Sequence, residues 1–536
     1  MQQFIEKYRE QIQGVVSGFD RLVFRGSLGR LNQGYWDEAR RVFVAHGMEQ
    51  YCWQNQILFK DYQQHVKGVS ERLKKKSLQP FGEQDRPVIF LRDPKVDKEQ
   101  LARRIAAEKG LTSGLVCALS ALEPSPTFDH LGCNLIRRIR PCHVLYHYQI
   151  HPQMGWMHAR IQTWFPFHIQ IAINGREWLA RQMDQEGMRY RKQDNCFVWI
   201  EDYERAQALL QRQLESSWTE ILGGFARQLN PLQERIFERY PASYYWTCYQ
   251  SEWATDIVFH DAGFLRRLMP LLVRHAVLSF SCADVMRYLG KKLNKDGSIP
   301  ERFGGTVQAD EKRRREGERI KYRLNGNAAK FYDKAYSDRG AVLRGAETTI
   351  NRVTDFRVFR PKQGGPETEL AWRPMRLGIA DLHRRAQVSQ HCNERVLDAL
   401  AAVDDSRRVE ELTAAVQTPV WWEGRRVRAL RPWGDDKDLL SAVIRGEFAI
   451  NGFRNRDLQQ LLHSNPAETV AERRRRSAAM SRKLRLLRAH GLIHRVSRTH
   501  RYQVTASGRA ILIAVLTTAQ ISTHEINQLI EQRKAA

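Results

Sequence analysis

The sequence predicts an α+β protein, in which a large mixed region built on antiparallel sheet precedes a smaller C-terminal module. Three observations lead to this fold class. Runs rich in Val, Ile, Tyr and Trp recur through the first 360 residues. Asn325-Gly326 separates two such runs, as in a tight β-hairpin. After residue 436 the apolar residues change to helical spacing, and the module closes with another pair of short β-like runs.

The composition limits the kind of protein. The chain has 536 residues, of which 42% are hydrophobic and 10% aromatic, so it can form several domains with real cores. Eight cysteines are scattered without a CxxC pair, which argues against a disulfide framework or a zinc ribbon and favours a cytoplasmic protein. No apolar stretch reaches the ~20 residues of a membrane span, so we expect no membrane partner.

The chain reads as four consecutive regions. Residues 1–130 are expected to be a mixed α/β region, and residues 131–360 a nucleic-acid-handling core that contains antiparallel sheet. Residues 361–435 hold several Pro and Gly residues and read as a connector with one or two helices. Residues 436–520 form the C-terminal module, with the main boundary near 430.

Individual elements of the first 360 residues follow from their patterns. Strands, helices and turns are expected as follows: strands at Val88–Leu91 and Leu115–Leu119, a helix at Lys98–Lys109, a hairpin of His143–Ile150 with Trp156–Trp164, a helix turn at Gln250–Asp256, a hairpin of Arg319–Leu324 with Ala328–Tyr332, and a strand at Val342–Ile350.

The C-terminal module has a specific order of elements. A helix is expected at Asp438–Glu447, a short extended piece at Phe448–Ile450, a second helix capped by Asn455, and a third from Pro466 to His490. Two strands, 492–496 and 501–505, complete the module. Helix, short strand, helix, helix and β-hairpin is the order of a winged helix-turn-helix.

Residues Leu486-Leu-Arg-Ala-His-Gly-Leu-Ile493, followed by a basic hairpin that ends in Tyr502-x-Val-Thr-x-x-Gly508, resemble MarR-type transcriptional regulators. The resemblance covers about eighty residues. It implies that the third helix lies in the major groove of double-stranded DNA while the hairpin touches the backbone or the minor groove.

Charge supports this placement. Residues 471–510 carry twelve Lys or Arg against one acid, a net +11 of the chain's formal +26, as expected of a surface that neutralises phosphates. We expect Ser477, Ser481 and Arg482 to read bases. The remaining basic residues are expected to bind DNA mostly through phosphates: Arg473, Arg474, Arg475, Arg476, Lys483, Arg485, Arg495, Arg498 and Arg501. The alternatives are a solvated helix face or a module used for protein contacts.

A second resemblance lies in residues 319–350. Tyr332-Asp-Lys334, followed by Leu343-Arg-x-x-Glu347, resembles a segment of phage and plasmid rolling-circle replication initiators. The resemblance implies that Tyr332 attacks a DNA phosphate, that Lys334 positions the scissile group, and that a histidine-held divalent metal polarises it. The His-hydrophobe-His triplet of that family is absent here. The alternative is a basic sheet edge that follows a nucleic-acid backbone.

Two further groups are candidates for metal binding. His147, His151 and His158 occupy a strand, a turn and the next strand, so they could converge on a metal, although packing within an aromatic layer is the simpler interpretation. Glu252 and Asp256, four apart in the expected helix turn, could hold Mg²⁺ or Mn²⁺ on one face. Arg266 or Arg267 could supply the compensating charge instead.

Together these features favour a DNA-binding protein of the replication-initiator or mobile-element kind, with metal-dependent nicking or nuclease activity left open. The first alternative is a non-catalytic transcriptional regulator whose large domain senses a ligand or mediates oligomerisation. The second is an RNA-binding protein, because basic β-surfaces interleaved with Tyr and Trp suit stacking on unpaired bases.

Overall fold

The computed structural model describes residues 1–32, 35–93, 95–294, 299–301, 303–314, 317–337, 340–362, 368–401, 409–445, 448, 452–463, 465–496, 499–519 and 522. Within them the chain is an α+β protein with one large mixed, mostly antiparallel sheet and many helices.

The α-helices, α1 to α16 in chain order, have these bounds: Gln2–Lys7, Ala45–Gln54, Tyr62–Glu83, Lys98–Glu108, Gly175–Gln185, Tyr203–Gln211, Trp218–Leu229, Gln233–Ile236, Ala262–Ser279, Cys282–Tyr288, Leu382–Ala401, Val409–Ala414, Lys437–Val443, Asn455–Leu462, Val470–Ala489 and Ala506–Thr518.

The strands, β1 to β20 in chain order, have these bounds: Ile12–Asn32, Tyr35–Arg41, Val88–Leu91, Gly114–Leu131, Asn134–His151, Gly155–Gln162, Ile169–Asn174, Tyr190–Gln193, Cys196–Ile200, Ser243–Phe259, Val307–Arg314, Gly317–Leu324, Asn327–Ser337, Gly340–Ile350, Arg357–Arg360, Ala371–Pro374, Val420–Trp422, Arg425–Val427, Ile493–Arg495 and Tyr502–Val504.

The chain divides into two compact units. The first comprises Met1–Gln11, Gly263–Asp333 and Glu394–Ala536, and the second comprises Ile12–Ala262 and Lys334–Asn393. In the second unit neighbouring strands follow the order β14-β10-β1-β7-β6-β5-β4-β3, with β2 also paired to β1. The pair β3–β4 is parallel. In the first unit β11, β12 and β13 follow one another as antiparallel neighbours.

The sheet of the second unit has two unlike faces. Phe19, Leu22 and Phe24 of β1 face a hydrophobic core that residues of α2, α3, α5, α6 and α7 complete. On the other face α4 covers the β3–β5 end. A separate small cluster packs β9 against β10 and β14 through Cys196 and Val198.

Most predicted elements of the sheet region are confirmed, and several run further than the sequence indicated. Val88–Leu91 is a strand with those bounds, and the predicted strand Leu115–Leu119 is part of the longer β4. Asn325 and Gly326 both adopt positive φ, +51° and +93°, as a type I′ turn requires. The helix turn predicted at Gln250–Asp256 is wrong, because these residues lie inside β10, paired on both sides with β1 and β14.

Residues 361–435, predicted to hold one or two helices, contain α11 and α12. Two hairpins were not predicted: β15–β16, which begins at Arg357, and β17–β18. Of the short piece predicted at Phe448–Ile450, residues 449 and 450 lie outside the described residues, and Phe448 is not extended.

Among the described helices, none is by itself long and apolar enough to cross a membrane. The bent pair Ala262–Val277 and Cys282–Tyr288 passes that test jointly, by length and composition only.

Candidate nucleic-acid interface

The helix that carries most of the basic block, α15, begins at Val470 rather than at Pro466. The Thr469 side chain accepts a hydrogen bond from the Glu472 backbone N–H at 3.1 Å, and the Glu472 carboxylate accepts one from the Glu468 backbone N–H at 3.1 Å. Thr-x-x-Glu is the pattern of a helix N-terminus that satisfies its own donors. This signal was present in the sequence and marks the true start.

One face of α15 belongs to the core of the C-terminal module. Met480, Leu484 and Leu487 are buried, as predicted, with side chains from α13, α14 and α16. The β19–β20 hairpin gains a third extended piece, because the backbones of Phe453 and Tyr502 exchange hydrogen bonds of 2.9 and 2.8 Å. The helix is therefore held rigidly in a frame of helices and a small β-ribbon.

The opposite face of α15 is basic and open. Arg474, Ala478, Ser481 and Arg485 follow one another at spacings of three and four, so they form a single stripe, and all four are exposed. Arg475 and Arg482 are also exposed beside this stripe, and Arg473 is exposed on the other side of the helix, seven residues before the buried Met480. Among the described residues, no acidic side chain forms an ion pair with any of these five arginines. Exposed cations without internal partners remain available to a polyanion.

The other predicted DNA-binding residues differ from this stripe. Arg476 pairs with Glu472 at 2.5 Å and donates to the Asn465 carbonyl at 2.6 Å, so it helps to hold the start of the helix. Arg501 donates to the Gly452 carbonyl at 3.2 Å and Arg495 to the Thr499 carbonyl at 3.1 Å, both within the hairpin region. Arg498 lies outside the described residues.

The two predicted serine readers contact a neighbouring helix. The Asn455 side-chain amide donates to the Ser481 hydroxyl at 2.9 Å and to the Ser477 carbonyl at 3.0 Å. The prediction that Asn455 caps α14 is wrong, because the helix begins at Asn455 itself. At this end of the helix the Asp457 carboxylate accepts a hydrogen bond from the Arg454 backbone N–H at 2.7 Å. The amide instead ties α14 to α15.

A hairpin beside α15 was not predicted from the sequence. β17 and β18 pair through Trp421 with Arg426 and Trp422 with Arg425, across a turn in which Glu423 and Gly424 both have positive φ. A two-residue x-Gly turn is a hairpin signal, and Glu423-Gly424 directly follows the β-favouring run Val420-Trp421-Trp422, so this hairpin could have been predicted from the sequence.

The three histidines proposed as metal ligands do not converge. In the β5–β6 pairing His147 lies opposite Ala159 and His158 lies opposite Tyr148, which puts the two histidines on opposite faces of the sheet. Burial lowers the pKa of His147 to about 3, and its ring packs against Phe81. His151 accepts the backbone N–H groups of its own turn. The prediction that these three histidines converge on a metal is wrong, and the alternative of packing within an aromatic layer describes them.

Glu252 and Asp256 do not form a shared metal site either. Both lie in β10, where a rise of about 3.3 Å per residue separates residues four apart by about 13 Å. Asp256 is buried and bound by arginine, whereas Glu252 is half-buried. Their predicted chelation of one Mg²⁺ or Mn²⁺ ion fails on this distance.

Arg344 lies at the centre of a buried ionic cluster in the second unit. Its guanidinium binds Asp256 at 2.7 Å, Asp20 at 2.9 Å and Glu347 at 2.9 Å. Arg176, fully buried at the start of α5, binds Asp256 at 2.9 Å. Lys334 lies 3.9 Å from Asp20 and donates to the Asn195 carbonyl. Three carboxylates are thus matched by three cations.

Two β-bulges bring these side chains to one face. Arg344 and Glu347 are three apart, which in a regular strand would point them to opposite faces, but the register of β10 with β14 shifts between Thr255–Ala346 and Asp256–Arg344. A second shift in the β1–β10 pairing falls at Asp20, between Phe19 and Arg21. Gly345 stands at the first shift, and a glycine inside a strand is a local signal of a bulge, whereas the shift at Asp20 has no comparable signal.

The pKa shifts of the buried carboxylates indicate that the opposite charges of the cluster stabilise one another. Burial alone would raise the pKa of Asp20, but the charges of Arg344, Lys334 and Arg176 outweigh it and hold that pKa below its ordinary value. The same balance lowers the pKa of Asp256. Burial lowers the pKa of Lys334, and Arg344 acts in the same direction.

The cluster contains Lys334, and Tyr332, the proposed nucleophile, belongs to the other compact unit. Tyr332 precedes Lys334 by two residues in β13 and lies opposite Arg319 of β12, half-buried. The division into two units falls between Tyr332 and Lys334. Among the described residues, no group of three or more His, Cys, Asp or Glu side chains is arranged to hold a metal ion. The described side chains therefore do not fit the Mg²⁺ or Mn²⁺ that nicking would require.

Comparisons with protein-family models, with curated proteins and with solved structures find no match to this chain.

Replacing Arg344 by Met should destabilise the protein by about 3–5 kcal/mol, because three buried carboxylates lose their central partner. Urea unfolding measures the change. The control is Arg189→Met, which removes an exposed arginine paired with Glu201 and should leave the midpoint nearly unchanged. Equal effects of the two substitutions would contradict the role assigned to Arg344.

The cluster also predicts acid sensitivity. Because the folded pKa values of Asp20 and Asp256 lie below the ~3.9 of an unfolded Asp, the unfolded chain binds more protons in acid. The stabilisation is complete above about pH 4 and is lost as the pH falls further. Urea unfolding between pH 3 and pH 6 should show a flatter dependence in Asp256→Asn than in the wild type. An unchanged dependence would contradict the assignment.

Proposed function

We propose that this chain is a double-stranded DNA-binding protein that recognises its site through a winged helix-turn-helix at residues 436–518. The observation that carries the proposal is the open basic stripe of α15, on a helix whose other face is locked into a core. In this arrangement α14 and α15 form the helix-turn-helix, and β19 and β20 form the wing.

Both the shape and the charge of α15 support this proposal. An α-helix matches the width of the B-DNA major groove, and its N-terminal residues reach the base edges. The exposed arginines at 473, 474 and 475 stand in that N-terminal half, and Arg482 and Arg485 extend the basic surface toward the other end. Each arginine placed on a phosphate releases condensed counterions, which makes binding favourable and salt-dependent.

The replication-initiator role remains a proposal with weaker support. The resemblance in residues 319–350 motivates it, while the buried pairing of Asp256, Glu347 and Lys334 provides no free acid or base for strand cleavage. A regulator without catalysis fits the described geometry equally well, since its essential part would be the same DNA-binding module.

A second candidate function, binding of an unpaired nucleic-acid strand, is favoured by the β15–β16 hairpin. Phe359 and Trp372 lie directly opposite each other, with ring centroids 5.9 Å apart, and are 50% and 62% exposed. At the base of the hairpin Asp381 is bound by Arg376 and Arg384 and lies 3.7 Å from Arg360, so positive charge exceeds negative. Exposed aromatic rings beside cations are suited to stacking on unpaired bases.

The main proposal predicts the behaviour of Arg474→Ala/Arg475→Ala. A DNA duplex selected by the full chain from a random library should bind this variant less tightly. The slope of log K against log salt should be shallower by up to about 2, since each phosphate contact contributes about 0.9. Fluorescence anisotropy of labelled duplex measures both quantities.

The control for that experiment is Lys75→Ala/Lys76→Ala, which removes two exposed cations from α3 of the second unit. It should bind the duplex as the wild type does. Equal losses in the two variants would mean that only net charge matters, and the proposed interface would be wrong.

The second candidate predicts that Phe359→Ala/Trp372→Ala weakens binding of labelled single-stranded DNA or RNA by about 1–3 kcal/mol per lost stack, with duplex binding unchanged. Trp53→Ala is the matched control, because Trp53 is 78% exposed on α2. If Phe359→Ala/Trp372→Ala binds the labelled single strand as tightly as the wild type does, this candidate function is wrong.

A further inference from the structure

A groove runs between the β17–β18 hairpin and α15, within the first unit. It has a volume of about 680 Å³. It is lined on the hairpin side by Trp422, Glu423 and residues 425–428, and on the helix side by Ala479, Arg482, Lys483, Arg485 and Leu486. Six of the lining residues are Arg or Lys, and Glu423 at the tip of the hairpin is the one acid among them.

The hairpin is fixed against the helix rather than free to swing. Val427 packs on the hydrophobic core of the module, and the Arg488 guanidinium lies 4.9 Å from the centre of the Trp422 ring. The Arg428 carbonyl is 2.8 Å from the His490 Nε2 atom, and the Arg428 guanidinium binds Asp436 through two contacts of 2.8 Å. The width of the groove is therefore set by the fold.

The basic side chains that line the groove outnumber its acidic ones. Among the described residues, Arg425, Arg426, Arg482 and Arg485 have no ion pair with an acidic side chain. Fixing several cations along one concavity costs electrostatic energy, which a bound polyanion would offset, and a concave surface concentrates the positive potential.

The position of the groove indicates which part of a polyanion it fits. Ala479, Arg482, Lys483 and Leu486 form a stripe at helical spacing, next to the stripe of Arg474, Ala478, Ser481 and Arg485 proposed to face the bases. A helix seated in a major groove has a sugar-phosphate backbone on each side. Residues next to the base-facing stripe consequently approach phosphates.

We propose that this groove binds the phosphate backbone of one DNA strand flanking the base-reading helix, so that the β17–β18 hairpin acts as a second wing. The inference rests on the proposed duplex-binding function. It adds a DNA-contacting hairpin at residues 420–427, which come before the module expected at residues 436–520. Arg425 and Arg426 supply the phosphate contacts of the hairpin, opposite Arg482 and Lys483 of the helix. Arg482, expected from the sequence to read a base, is thereby reassigned to the phosphate backbone.

The test uses the full chain and the duplex that it selects from a random library. In Arg425→Ala/Arg426→Ala the affinity should fall by one to two powers of ten near 0.1 M salt, and the slope of log K against log salt should be shallower by about 2. Hydroxyl-radical footprinting should show that protection is lost on one flank of the site, while the selected base sequence is unchanged. Lys75→Ala/Lys76→Ala is the charge-matched control.

The outcomes separate this inference from the function on which it rests. If Arg425→Ala/Arg426→Ala keeps the wild-type affinity, salt slope and footprint while Arg474→Ala/Arg475→Ala loses binding, the groove is not a DNA contact and the proposed function stands. If the wild type selects no duplex, both proposals fail. If Arg425→Ala/Arg426→Ala loses affinity only for labelled single-stranded RNA, the groove binds a different partner and the inference is overturned.

Discussion

The cost of burying an unpaired charge is the constraint on which this structure depends. In the second unit, where β1, β10 and β14 meet, Arg344 is completely buried and is bound by three carboxylates. An isolated charge in that position would cost several kcal/mol, so each member of the cluster requires the others. Charges committed in this way position strands relative to one another, and they are unavailable for binding an external ion.

The same constraint has the opposite consequence in the C-terminal module. There the apolar side of α15 supplies the packing, and the arginines of the other side remain in water, where an unpaired charge costs little. Their positive charge is retained at the surface. The contrast between paired buried arginines and unpaired exposed ones is the physical basis for placing the nucleic-acid contacts in this module rather than in the cluster around Arg344.

Local signals in the sequence were sufficient for elements whose cause is local. The Asn325-Gly326 turn, the helix ending before Gly491, and the buried stripe of Met480, Leu484 and Leu487 depend on turn chemistry and periodicity alone. The strand at Gln250–Asp256 was mistaken for a helix turn because its pairing partners, residues 16–23 and 344–350, lie far away in the sequence.

The site residues divide in the same way. The exposed arginines of α15 could be found from charge density and helical spacing. The grouping of Asp20, Arg176, Asp256 and Arg344 could not, because it depends on two bulges and on the register of three distant strands. His147 and His158 were wrongly brought together because the cross-strand register, which puts them on opposite faces, is not visible in the spacing of residues along one chain.

The central claim is that α15 lies against DNA, and arginine-specific chemical modification read by mass spectrometry tests it most directly. The full chain, with and without its selected duplex, is treated with phenylglyoxal. If α15 lies against DNA, the duplex protects Arg474, Arg475, Arg482 and Arg485, while the exposed Arg189 of the second unit reacts equally in both samples. Equal modification of the α15 arginines with and without bound duplex would contradict the claim.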